Sequence, residues 1–364
     1  MTKSNFLSLQ RQIIIALFTV TFTYNRSNQE YLKLQTLESD FFVNQVGYFN
    51  LSCPFEMAKL SCAYTEYEPG DRVRTNSSRN FYIENINVIH HAFWKAFGGS
   101  NHRRIRHIFM TGDSLTRQLF IALACNAVTL YDGIANNVEV HWKDTFPCAN
   151  DRLCKIPGGE HSGFDAASVI FKGGTELHFV PHHGGRDRLT SEANVLERLA
   201  EEVQSTGRVT FGEKTALPTD GPVDVLVYNV GIHYDGQHFR DTVNFFANKV
   251  AFPLMNNHTN VRTRPRIIYV TTPTQHFNTP NGVFITGKMG RKFLRKCVDE
   301  VETNPRADVE KEILAPGVNV DVLLDSDDLN KGIMHVGKSD CSHYCMPGAL
   351  DIVAARILDA ITAI

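Results

Sequence analysis

One stretch constrains this chain more than any other: Ile105 to Cys125, reading I-R-H-I-F-M-T-G-D-S-L-T-R-Q-L-F-I-A-L-A-C. Ile105, Ile108, Phe109 and Met110 make the short apolar run of a buried strand, and Leu115, Leu119, Phe120, Leu123 and Ala124 then recur at helical spacing. Between them lies Gly112-Asp113-Ser114. A serine on a sharp strand-to-helix turn has its hydroxyl lifted clear of the sheet, and its own N–H points to where an anion collects at the helix start. Ser114 is therefore placed as a nucleophile.

A serine nucleophile needs a base that titrates near neutrality and an acid that holds this base in the right tautomer. Both types occur near the C-terminus, in Ser339-Asp340-Cys341-Ser342-His343-Tyr344-Cys345-Met346-Pro347-Gly348. The D-x-x-H spacing lets one tight turn present the His343 imidazole and the Asp340 carboxylate together. A terminal helix is expected to follow, from about Pro347 through Ile352, Ala355, Ile357 and Ile361.

Between these two ends the periodicity alternates. Strands are expected at Val138 to Trp142, Ala167 to Phe171, Glu176 to Val180, Val223 to Val230, Arg266 to Thr271 and Val318 to Leu324, with helices at Ser191 to Gln204 and Phe239 to Leu254. Strands alternating with helices predict an α/β fold, a three-layer, doubly wound and mostly parallel sheet with its active site at the carboxyl ends of the strands. From about Asn25 to Arg104 the chain is polar and poorly periodic, which predicts an irregular, cysteine-stapled lobe over 29–104 ahead of a catalytic domain over 105–364.

With 364 residues, 43% hydrophobic and 21% charged, the chain can bury one large core, and a wholly disordered chain is excluded. A net charge of −2 supplies no global field for nucleic acid or an anionic membrane surface, so neither is an expected partner. Lys3 and Arg11 precede a mostly apolar run from Ile13 to Tyr24, which fits the core of a signal peptide over 1–28 better than a full membrane span. No small-x-small cleavage site follows clearly, so removal and retention as a short membrane anchor both stay open. Eight cysteines, Cys53, Cys62, Cys125, Cys148, Cys154, Cys297, Cys341 and Cys345, lack the C-x-x-C pairs of a zinc site and read as disulfides, for which spacing alone leaves 105 connectivities. Sequons at Asn25, Asn50, Asn76 and Asn257 agree with an exported chain.

Gly112-Asp113-Ser114-Leu115-Thr116-Arg117 and Asp340-Cys341-Ser342-His343-Tyr344-Cys345-Met346-Pro347-Gly348 together resemble the PC-esterase branch of the SGNH (GDSL-like) superfamily. Within it the chain is similar to the trichome birefringence-like polysaccharide O-acetyltransferases, which carry G-D-S-x-x-R and D-C-x-H-W-C-x-P-G. Tyr344 stands where they have tryptophan. The resemblance implies a Ser114-His343-Asp340 triad that moves an acetyl group to a carbohydrate hydroxyl, with an acetylesterase and a catalytically silent glycan-binding protein as the alternatives. It implies no tightly bound cofactor, leaves the acyl donor and acceptor glycan open, and places the chain in the Golgi lumen or outside the cell. It pairs Cys53 with Cys125, Cys62 with Cys345 and Cys297 with Cys341, leaving Cys148 with Cys154.

Three further residues come with the resemblance. Asn229 ends the apolar run from Val223 in an Asn-x-Gly like that of the third superfamily block, where the amide joins the serine N–H in an oxyanion hole; otherwise it is a turn-forming asparagine. The second oxyanion glycine has five competitors, Gly133, Gly173, Gly174, Gly184 and Gly185. His276 either contacts substrate or packs near Phe277, and Arg117 either shapes the pocket or pairs with a carboxylate. His178, His182 and His183 bring no carboxylate or cysteine at ligand spacing, so no metal is expected there. Lys288, Arg291, Lys292, Arg295 and Lys296 read as a solvated helix face.

Overall fold

A computed structural model describes residues 81–98, 105–130, 139–141, 167–170, 175–182, 195–209, 223–256, 264–284, 297–326, 335 and 341–363, apart from residues 83, 235, 280, 299 and 347. The strands are β1 (His107–Gly112), β2 (Glu139–His141), β3 (Ala167–Ile170), β4 (Glu176–Pro181), β5 (Val225–Tyr228), β6 (Arg266–Val270) and β7 (Val322–Leu324). The helices are α1 (Ile86–Phe93), α2 (Ser114–Leu130), α3 (Val195–Thr206), α4 (Gly236–Phe245), α5 (Phe252–Asn256), α6 (Pro305–Ile313) and α7 (Ala349–Thr362). A wide π turn continues α1 over Trp94–Gly98, and a second joins α4 to α5 over Phe246–Ala251.

The strands form one sheet in the order β2-β3-β4-β1-β5-β6-β7. Five run parallel, from β4 through β1, β5 and β6 to β7, and β3 and β2 continue antiparallel from the β4 side. Every residue of β1 and β5 is buried, as expected of strands covered on both faces. Alternate residues divide between two cores. Phe109, Leu226, Tyr228, Ile267 and Tyr269 pack against Leu196, Leu199 and Val203 of α3 and Phe239 and Val243 of α4. On the other face α2 lies on β1 and β4, and α7 lies on β6 and β7 and against α2.

Helix α2 is apolar all round because it is sandwiched: Leu115, Leu119, Phe120, Ile121, Leu123 and Cys125 are all buried between the sheet and the outer pair α1 and α7. Each such side chain contributes roughly 1.5–3 kcal/mol of burial. Helix α7 starts where the Asp351 carboxylate reaches back to accept the Gly348 N–H at 2.6 Å. That carboxylate also accepts from Asn126 Nδ2 of α2 at 2.5 Å, which ties the two helices together.

The expected strands all form, each within a few residues of its place in the sequence. Helix α1 packs on α2 and α7, so residues 86–93 contribute to the main core. The rest of that lobe, the apolar run of residues 13–24, the four sequons and the basic run of residues 288–296 lie outside the described residues. Among the described residues no helix is long and apolar enough to cross a membrane.

Candidate active site

The connections after β1 and β5 leave the sheet toward opposite faces, α2 to one and α4 to the other, which opens a crevice at the carboxyl edge between them. Ser114 is the first residue of α2 and sits at that crevice. Gly112 makes the approach feasible, because a Cβ there would lie 2.7 Å from the Asn229 carbonyl oxygen and 2.1 Å from Thr116 Oγ1. Asp113 is fully buried and caps the helix, its Oδ1 accepting the Leu115 N–H at 2.9 Å. Its Oδ2 accepts the Ile232 N–H at 2.7 Å, which fastens the turn after β1 to the loop after β5. Gly231 is required at that junction: its φ is +83°, and a Cβ would fall 2.1 Å from Asp113 Cγ.

His343 Nε2 lies 2.7 Å from Ser114 Oγ, across 229 residues of sequence. A hydroxyl that donates to a neutral imidazole nitrogen is poised to lose its proton to it, provided the other ring nitrogen carries the hydrogen. Asp340, expected to hold that hydrogen, lies outside the described residues.

The segment carrying His343 is held from several sides. Gln118, one turn after Ser114 on α2, donates from Nε2 to the Tyr344 carbonyl at 2.8 Å and accepts the Tyr344 N–H on Oε1 at 3.2 Å. A disulfide joins Cys341 to Cys297, as the resemblance implies. Cys125 and Cys345 are also oxidised, while the expected partners Cys53 and Cys62, and the Cys148–Cys154 pair, lie outside the described residues. His335 Nδ1 lies 2.9 Å from the His343 carbonyl oxygen, and Gln275 Nε2 donates to Ser342 Oγ at 2.7 Å. Buried Arg306 then ties Gln275 Oε1, at 2.8 Å, to the carbonyls of Ile232 and Tyr234. The loop after β5 and the His343 segment are thereby parts of one polar frame.

Two of the expected site residues make contacts within the protein. Asn229 follows β5, and its Nδ2 donates to the Val270 carbonyl at 2.7 Å and lies 3.4 Å from Thr272 Oγ1, so the amide faces the end of β6. The physical reason lies in the sheet, since Tyr228–Tyr269 is the last backbone pair between these strands and the side chain supplies the donor that the next carbonyl lacks. His276 is fully buried, with its Nδ1 2.5 Å from His335 Nε2 and its backbone N–H donating to the Cys341 carbonyl, so it supports the His343 segment. Arg117 is half-buried on α2, three residues beyond Ser114. The Ser114 N–H stands at the N-terminus of a 17-residue helix, and the five competing glycines lie outside the described residues.

Beneath the frame lies Glu310, which is fully buried and accepts from Tyr269 Oη, Thr272 Oγ1 and the Thr272 N–H, each at 2.7 Å. Burial pushes its carboxyl up to about 8, against the pull of those donors. His182, at the end of β4, has Tyr228 Oη 3.2 Å from Nδ1 and Tyr234 Oη 3.5 Å from Nε2. The last two networks had no sequence signal beyond the residue types. No known protein family, curated protein or solved structure matches the chain.

Proposed function

We propose that this chain is a serine-dependent acyltransferase on an SGNH-like scaffold that carries an acetyl group to a carbohydrate hydroxyl. The observation that supports it best is the 2.7 Å contact of Ser114 Oγ with His343 Nε2 at the carboxyl edge of a parallel sheet, where such crevices bind ligands. In this reading Ser114 Oγ attacks the donor's ester carbonyl as its proton passes to His343 Nε2. The Ser114 N–H, at the positive end of α2, faces the developing oxyanion. Collapse expels the donor alcohol, which takes the proton from His343, and leaves acetyl on Ser114. A sugar hydroxyl then gives its proton to His343 as it attacks the acetyl carbonyl, and His343 returns that proton to the departing Ser114 Oγ; water in place of the sugar makes the protein an esterase. Asp340 orients His343 in this scheme. Four oxidised cysteines among the described residues favour the secretory pathway as its location.

The test is to trap the intermediate. An activated acetyl ester should add one acetyl mass to intact protein, and Ser114→Ala and His343→Ala should each lose trapping and lower turnover by about 10³-fold or more. Adding the right polysaccharide should discharge the label onto sugar. Label released only as free acetate, at a rate indifferent to every glycan tried, moves the assignment to esterase. Full activity in Ser114→Ala removes the catalytic reading, and an inert wild type that still retains a glycan points to a binding protein.

A further inference from the structure

At the opposite, amino-terminal edge of the sheet, His107 opens β1 and Glu176 opens the neighbouring β4, and the two are register partners. His178 is two residues beyond Glu176 and therefore on the same face. Glu176 Oε2 lies 3.0 Å from His178 Nε2 and 3.5 Å from His107 Nδ1, and the three atoms are all within 4.8 Å of one another. His178 is 1% exposed and His107 8%. His107 Nδ1 is itself buried and has no hydrogen-bond partner. A buried imidazole nitrogen whose nearest partner is a carboxylate oxygen at ion-pair distance, too long for a good hydrogen bond, needs an explanation, because native interiors leave few polar atoms poorly satisfied.

We propose that His107, Glu176 and His178 form a binding site for a divalent transition metal, Zn²⁺ by the chemistry of its donors. A tetrahedral shell with bonds of about 2.0–2.1 Å separates its ligand atoms by about 3.3 Å, close to two of the observed spacings. Two imidazoles and one carboxylate suit Zn²⁺ better than Mg²⁺ or Ca²⁺, which prefer oxygen alone. The Glu176 side chain keeps 23% of its surface exposed, giving an ion a way in and a water a place in the fourth position. Backbone contacts fix the ligands' framework without the ion: Asp224 Oδ2 accepts the N–H groups of Arg106 and His107, and Thr175 Oγ1 donates to the Ile105 carbonyl. Seven residues of nearly extended chain separate His107 from Ser114, about 20 Å, so the ion clamps β1 to β4 and takes no part in chemistry at the serine. No carboxylate was expected at ligand spacing beside His178; Glu176 lies two residues before it on the same strand, and His107 comes from a strand more than sixty residues away.

The test uses the full chain, stripped with a chelator and dialysed, then titrated with Zn²⁺ against a chromophoric competitor and separately with Co²⁺. Wild type should take up about one equivalent of Zn²⁺, show the strong visible bands of tetrahedral Co²⁺ and melt at a higher temperature with zinc than without. Glu176→Gln, which keeps the side chain's shape, and His107→Phe should each weaken zinc binding at least about tenfold and abolish the cobalt bands. Wild-type protein whose melting and cobalt spectrum ignore the metal overturns the site without recourse to any variant. Zinc uptake that both variants keep undiminished overturns it equally, by placing the ion elsewhere.

Discussion

Gln118 shows how firmly one uncharged side chain can hold a neighbouring segment. Ser114 and Gln118 occupy successive turns of α2, so one residue meets the His343 ring while the other grips the next backbone unit at both its polar groups. Gln118→Ala would leave a buried N–H and a buried carbonyl unsatisfied, costing about 1–3 kcal/mol, and would free the imidazole to drift. We expect kcat to fall about tenfold or more with KM little changed and the fold retained, checked by steady-state kinetics beside a melting curve; unchanged kcat would deny the clamp. Ser114 and His343 were legible in the sequence because their reactivity is tied to residue type and to the turns that present them. Gln118 was not, since a glutamine in a helix has no signature until its partner is known. The contact made by Asn229 was hidden for a related reason: its place after the strand could be read, but the direction of its amide is set by the last carbonyl of β6.

At the scale of elements, the His343 loop depends on covalent and side-chain ties more than on its own secondary structure. The Cys297–Cys341 bridge closes a separation of 44 residues and is worth about 4 kcal/mol in chain entropy. Residue 341 also receives the His276 N–H, and residue 297 bridges Phe277, so the bridge holds the His343 loop against the segment after β6. Mild reduction should therefore abolish acetyl trapping while far-UV circular dichroism still reports an intact sheet; activity and ellipticity lost together would show the bridge to be part of the core. The strands were readable because fully buried parallel strands are short unbroken apolar runs. The antiparallel sense of β2 and β3 was not, because a strand's pattern encodes its faces and not its direction. Helix α1 has the right spacing, with Ile86, Ile89, Ala92 and Phe93 buried, but two apolar turns inside a long polar stretch gave too little contrast.

Among the described residues, two buried acids, Asp351 and Glu310, each contribute a stability that falls with rising pH. Burial pushes Asp351 up to about 6, from an ordinary value of 3.8, and Glu310 up to about 8, from 4.5. The folded state then holds protons that the unfolded chain has released, so this contribution is complete at low pH and is lost as pH climbs through about 6 and then about 8. Denaturant midpoints between pH 5 and 8 should decline in the wild type, and Glu310→Gln should remove a slope approaching 1.4 kcal/mol per pH unit; parallel profiles for the two proteins would rule Glu310 out as the source. The order of the strands has another consequence, for the chain as it is made. The central strand β1 takes neighbours only from later in the chain, β4 some sixty residues on and β5 more than a hundred. At about 5–20 residues per second, a ribosome leaves a strand meant for full burial with both hydrogen-bonding flanks bare for several seconds or longer. Birth, for this chain, is the interval of greatest exposure to aggregation, and a holdase acting on the nascent polypeptide would find its target in the segment that later positions Ser114.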